Sequence, residues 1–231
     1  MKKLIFLLGL LLLSVGAFSQ SAGCNCSSSE DYLEYLYNGL VGAEYRNSAE
    51  GYKGNQYYGP WEKGRIVLSS GQTLTGINLR YDLFINKLLW VREKDFKTGI
   101  LPISDVVSFT VPDRKYKSEV TFVRKKIRLP YQPDSTELYL RLLAAGEISF
   151  LSCHQAVESP SEYELVDETH YVAFSNNTYV YTGLRKRLLL KIPYIDRERM
   201  KAILKSNRIR VRNNEMQMAR AFTLYNQAKT N

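Results

Sequence analysis

The chain has 231 residues, with 32 Lys or Arg against 23 Asp or Glu, a formal net charge of +9 and 3 cysteines. Its length suits one hydrophobic core, or one core with a small appendage. Beyond the N-terminal apolar run no segment is long and apolar enough to cross a bilayer as a helix, and for all its basic charge the chain carries no recognised nucleic-acid-binding motif.

The chain opens MKKLIFLLGLLLLSVGAFSQ, which is two lysines, an apolar run from Leu4 to Leu13, and small residues leading to Ala17-Phe18-Ser19. Charged, apolar and small-residue regions in that order predict a secretory signal peptide over residues 1–19, with Gln20 as the new terminus. The expected location is outside the cytoplasm: periplasmic, outer-membrane associated or secreted. A rival reading is a lipobox at Ser21-Ala22-Gly23-Cys24, in which Cys24 is lipidated. Against it, Ser21 stands where such motifs prefer Leu, and polar Ser19-Gln20-Ser21 separates Cys24 from the apolar run.

Residues 20–29 read as a Ser-rich linker. An odd number of cysteines is awkward in an oxidising compartment, leaving Cys26 and Cys153 as a pair if Cys24 is lipidated and one spare thiol otherwise. Neither Cys24-Asn25-Cys26 nor Cys153-His154 has the spacing of a zinc module, so no metal and no cofactor is expected.

A β domain with a leading helix is predicted over residues 30–183. The helix begins at Glu30 and carries Tyr32, Leu33, Leu36, Tyr37 and Leu40 on one side, with an acidic first turn suited to the helix dipole. Residues 42–61 follow as a long Gly- and Tyr-rich loop, in which Tyr52, Tyr57, Tyr58 and Trp61 either form an aromatic platform for a sugar or peptide or cover a sheet end. From Lys63 to Val111 apolar and polar residues alternate with a period near two, which a helix cannot satisfy. Ile66 and Leu68 lie on one face; Ser69-Ser70-Gly71-Gln72 turns the chain, and Leu74, Ile77 and Leu79 follow.

Further along, Glu119 to Leu129 reads as a strand with Val120, Phe122 and Arg124 on one face. Leu138 to Leu143 and Ile148 to Cys153 read as a hairpin, with Leu138, Leu140 and Leu142 facing away from Tyr139, Arg141 and Leu143. An acidic connector, ESPSEYELVDE, leads to a last hairpin, Thr169 to Ser175 and Thr178 to Thr182, turning on Asn176-Asn177. At Leu184 the periodicity changes. Asp196 caps a helix running to Asn207 with Met200, Ile203 and Leu204 on one stripe, and Asn213-Asn214-Glu215 starts a last helix carrying Met218, Phe222 and Tyr225.

Lys63-Gly64-Arg65-Ile66-Val67-Leu68-Ser69-Ser70-Gly71 with Leu79-Arg80-Tyr81-Asp82, a basic Leu-rich segment, Asp196-Arg197-Glu198-Arg199 and a terminal Tyr225-Asn226 resemble a group of exported bacterial proteins of unknown function. The resemblance covers most of the mature chain and implies no catalytic residues.

The charge is uneven. Residues 184–231 hold 13 Lys or Arg against 3 Asp or Glu, while residues 20–183 hold 17 against 20. This basic, helical appendage over residues 184–231 suits an anionic membrane face or surface polysaccharide, with Arg197, Arg199, Lys201 and Lys205 as the surface-binding candidates. The alternative is that it docks on the acidic connector, at Glu158, Glu162, Glu164, Asp167 and Glu168. The chain lacks Gly-x-Ser-x-Gly, His-Glu-x-x-His and a phosphate-cradling glycine loop. Cys153 and His154 are neighbours on a strand and point to opposite faces, so the best catalytic pair is Cys153 with His170.

Taken together these readings predict a mainly β (α+β) chain: an antiparallel β-sandwich or open barrel, with a short N-terminal helix and two C-terminal helices. The expected role is a non-catalytic envelope protein binding a protein partner, a glycan or an anionic membrane surface, and not nucleic acid. A small periplasmic hydrolase using Cys153 and His170 is the alternative.

Overall fold

The computed structural model describes residues 42–91, 96–113, 118–160 and 163–229. The expected leader, the linker with Cys24 and Cys26, the helix beginning at Glu30 and the acidic residue Glu162 lie outside the described residues.

The strands are β1 Ala43–Glu44, β2 Tyr57–Leu68, β3 Thr73–Asp82, β4 Lys87–Val91, β5 Thr98–Leu101 and β6 Val106–Asp113, then β7 Ser118–Ile127, β8 Thr136–Ala144, β9 Ser149–Glu158, β10 Leu165–Ser175 and β11 Thr178–Thr182. Three helices follow, α1 Lys186–Leu189, α2 Arg197–Ser206 and α3 Glu215–Lys229. The chain is mainly antiparallel β. Among the described residues eleven strands form one sheet, in the order β1-β5-β4-β3-β2-β6-β7-β8-β9-β10-β11. Hairpins build outward from β2 to β5, and a 3₁₀ turn at Ile103–Asp105 returns the chain so that β6 joins the free side of β2.

The alternation explains these pairings. Ile66 and Leu79 are fully buried while Arg65 is exposed. Leu74 and Ile77 share the inner face despite their three-residue spacing because Gly64 pairs with Ile77 and Arg65 with Thr75. That leaves Gly76 as the extra residue of a bulge, at φ +73, a conformation that glycine adopts without steric cost. Asn176 and Asn177 have φ of 47 and 61, which suits the turn with two left-handed residues that matches strand twist.

The sheet curls. Ala156 N on β9 donates to Leu83 O beyond β3 at 3.2 Å, and Lys53 bridges to Glu164 ahead of β10. Inside the curl an aromatic core forms: the rings of Phe109 and Phe122 stack at 4.7 Å, and Tyr81 and Tyr139 pack against them. Burying one such ring contributes about 1.5–3 kcal/mol. A second cluster, Leu138, Leu140, Leu151, Cys153 and Val172, covers the other face of β8–β10 together with Ile127 and Leu129. A third joins α2 and α3 to Ala144, Ile148, Phe150 and Ala173, with Phe150 and Phe222 stacked at 4.8 Å.

In β8 Leu138 and Leu140 face away from Tyr139 and Arg141, as expected, and all four are buried, because the aromatic core covers one side and the second cluster the other. Two expectations are corrected by this packing. The acidic connector is strand at both ends, since β9 runs to Glu158 and β10 starts at Leu165, and Glu158, Glu164 and Asp167 are exposed. Of the loop expected over residues 42–61, Tyr57 to Trp61 already belong to β2.

Tyr225 and Asn226 lock the helices in place. Tyr225 Oη accepts from Asp196 N at 2.9 Å, directly before α2, whose first turn is capped by the Asp196 carboxylate accepting from Glu198 N and Arg199 N. Asn226 accepts from Ile148 N at 3.2 Å and donates to Ala145 O and Ile148 O, closing the β8–β9 turn. A second polar lock sits at Asp82, which is fully buried. Its carboxylate accepts from Phe84 N, Ile85 N, Tyr45 Oη and Gln56 Nε2.

Candidate functional site: a polar cleft inside the curled sheet

Strand register sets up the site. Ile66 pairs with Phe109, Phe109 with Phe122, Phe122 with Arg141, Arg141 with Ser152, and Ser152 with Tyr171. Residues directly opposite share a face, so one inward row is apolar over β2, β6 and β7 and becomes polar from β8 onward. Where it becomes polar a cleft of about 600 Å³ opens, within the range of small-ligand sites. Tyr58, Asp113, Arg141, His154, Asp167 and Tyr171 line it, and Asn213 and Glu215 close it from the side of α3.

His154 is the most constrained group there. Its Nε2 lies 3.0 Å from Ser152 Oγ and its Nδ1 lies 3.1 Å from Thr169 Oγ1, while Tyr58 stands edge-on at 5.7 Å. Burial, reinforced by the Arg141 charge, holds its pKa down to about 4, so the ring is neutral at physiological pH. Burial also pushes the Tyr58 hydroxyl up to about 12, so it stays protonated beside Asp113, to which it donates at 3.3 Å. Ser152 has no exposed surface, and a threonine, not a carboxylate, holds the far nitrogen of His154. The set therefore lacks an accessible nucleophile and an acid to orient the base, the two features an acyl-transfer triad needs. What it offers is a set of fixed donors and acceptors beside ring faces.

The catalytic candidates sit elsewhere. Cys153 and His170 are cross-strand partners, but they face the second apolar cluster and not the cleft. Cys153 is 1% exposed, and burial followed by the Glu168 charge raises its pKa to about 12, which keeps it a thiol and not the nucleophilic thiolate. His170 Nε2 lies 3.1 Å from Glu168 Oε1, off the line of a hydrogen bond.

The aromatic candidates do not share one surface. Tyr52 hydrogen-bonds Glu158 and packs on Phe84 and Tyr163. Tyr57 and Trp61 flank the Arg80 guanidinium, at 3.5 and 5.9 Å. Tyr58 packs inward on Phe122 at 4.9 Å.

Of the cationic candidates, Arg197, Lys201 and Lys205 are exposed on α2, with Lys201 paired to Glu198 at 2.6 Å. Arg199 is engaged in packing: it donates to Tyr225 O at 2.9 Å and lies 4.7 Å over the Tyr225 ring. The acidic connector does not hold the tail through any of the ion pairs seen among the described residues. Among the described residues the ion pair that joins sheet and tail is Arg141 with Glu215.

From the sequence Arg141 reads as one side of a strand, His154 as the strand neighbour of Cys153 and Asp167 as part of the acidic connector, and Asp113 carries no local signal, because the cleft that joins the four is built from distant strands. The one signal was an arginine alternating with leucines in β8. No protein-family model matches this chain, and searches of curated proteins and of solved structures find no similar protein.

Proposed function

We propose that this chain is an exported, non-catalytic cell-envelope protein that holds a glycan in the cleft of its curled sheet. Export rests on the leader pattern over residues 1–19. The observation that carries the glycan reading is the cleft lining, in which the tyrosine rings of Tyr58 and Tyr171 stand beside planar polar groups at Asp113, Asp167 and Asn213. Sugars match that combination, since ring faces cover their C–H surfaces and side-chain carboxylates and amides bond adjacent hydroxyls. Protonated Tyr58, whose hydroxyl donates to Asp113, still offers an acceptor, and neutral His154, with both nitrogens engaged, adds no charge to the lining. The open barrel is the fold that goes with this reading, supported by the bonds that draw β9 toward the end of β3.

The test is a screen of neutral and acidic oligosaccharides by calorimetry, with Asp167→Asn and Tyr58→Ala as variants. Each variant should weaken the best binder about tenfold, equivalent to about 1.4 kcal/mol. Failure of every saccharide to bind, or wild-type affinity in both folded variants, would overturn the reading.

A further inference from the structure

We propose that Arg185, Arg210 and Arg212 form a guanidinium rim that binds an acidic polysaccharide of the polyuronate class. The inference stands on the segment between α2 and α3 and does not depend on what fills the cleft.

After a turn at Arg208, whose φ is 52, exposure alternates along that segment. Ile209 and Val211 are 7% and 8% exposed and join the apolar cluster under the helices, while Arg208, Arg210 and Arg212 are exposed. Arg210 and Arg212 therefore stand on the outward side, about 7 Å apart along the chain. Arg185 is brought alongside by an isolated antiparallel bridge to Arg212, tied by Asn213 N donating to Leu184 O at 2.7 Å. Two arginines directly opposite each other repel. Neither the run from Leu184 to Ile195 nor that from Asn207 to Asn214 contains an Asp or Glu. Among the described residues, none of the three guanidiniums makes an ion pair or hydrogen bond. The fold thus holds three like charges together and leaves their donors facing solvent, an arrangement that an anion with several charges relieves.

The shape of the rim selects the partner. Guanidinium forks match carboxylates bidentately, and a polyuronate carries one carboxylate on every ring, so successive sugars can meet Arg210 and the Arg185–Arg212 pair in turn. A lipid surface would call for apolar side chains inserting beside the charges. Among the large apolar residues exposed in the described chain, the only one within four positions of these arginines is Met216.

The experiment titrates the full chain with alginate, a linear polyuronate, at low and high salt, beside neutral dextran and phosphatidylglycerol vesicles. Wild type should bind alginate in a salt-sensitive way. R185Q/R210Q/R212Q should lose at least tenfold, whereas R197Q/K201Q/K205Q, which removes the same charge from α2, should stay within twofold. R185K/R210K/R212K keeps the charge and loses the fork, and should fall at least threefold, which keeps the test decisive if the glutamine triple does not fold. Absence of alginate binding, equal loss in the two glutamine triples, wild-type affinity in the lysine triple, or tighter binding to the vesicles than to alginate would each overturn the proposal.

Discussion

Arg141 on β8 donates through Nη1 to Glu215 Oε1 at the start of α3, at 2.9 Å, and this pair joins the sheet to the last helix with signs opposite to those the charge distribution suggests. The sheet supplies the cation and the basic tail supplies one of its 3 acidic residues. Their side chains are 10% and 17% exposed, so each has lost most of its hydration and relies on the other. Glu215 also lies in the first turn of α3, where a negative charge is favoured by the helix dipole.

Breaking the pair from one side should therefore cost more than removing it. Glu215→Gln should lower the unfolding free energy by about 2 kcal/mol, below the full cost for a fully buried pair because some water remains. Arg141→Met combined with Glu215→Leu should lose less than the sum of the single changes. Urea denaturation of the four proteins measures this, and strict additivity would show that the two groups do not act together.

His154 predicts an acid-sensitive fold. Its pKa is about 4 when folded against an ordinary 6.5, so the unfolded chain takes up the proton first. The stability associated with the neutral ring is complete above pH 6.5 and is lost as the pH falls from there to about 4. A shift of this size corresponds to about 3 kcal/mol, and to about 2 kcal/mol once water at the half-buried ring is allowed for. Stability measured from pH 8 to pH 4 should fall more steeply in wild type than in His154→Gln, and parallel curves would refute the assignment.

Cys153 should be unreactive while the protein is folded. With its thiol buried and protonated, a chain carrying Cys24→Ser and Cys26→Ser should show almost no reaction with a disulfide reagent at pH 8 and one full equivalent after denaturation. Fast native-state labelling would instead revive a thiol-based hydrolase.

Several features could be read locally because they depend on local geometry. A period near two forces residues to opposite faces, so the strand character of Arg65 to Leu68 follows from the residues themselves. An aspartate followed by two free backbone amides makes a cap at Asp196 wherever the helix finally docks. The alternation of Arg208, Ile209, Arg210, Val211 and Arg212 is equally local, although it lies between two helices.

What period two cannot convey is which face is covered, and that depends on pairings between distant strands. Arg141 and Leu140 lie on opposite sides of one strand, and both are buried because β2, β6 and β7 curl round to one side and the loop through Leu129 closes the other. The sequence by itself determined the middle of most strands, the Asn176-Asn177 turn and the Asp196 cap. The tertiary structure decided that β6 joins the free side of β2, that the sheet curls, and that the row from Ile66 to Tyr171 passes from dry core to polar cleft. Burial is a property of the surroundings a side chain is folded into, and those surroundings are assembled from residues far away along the chain.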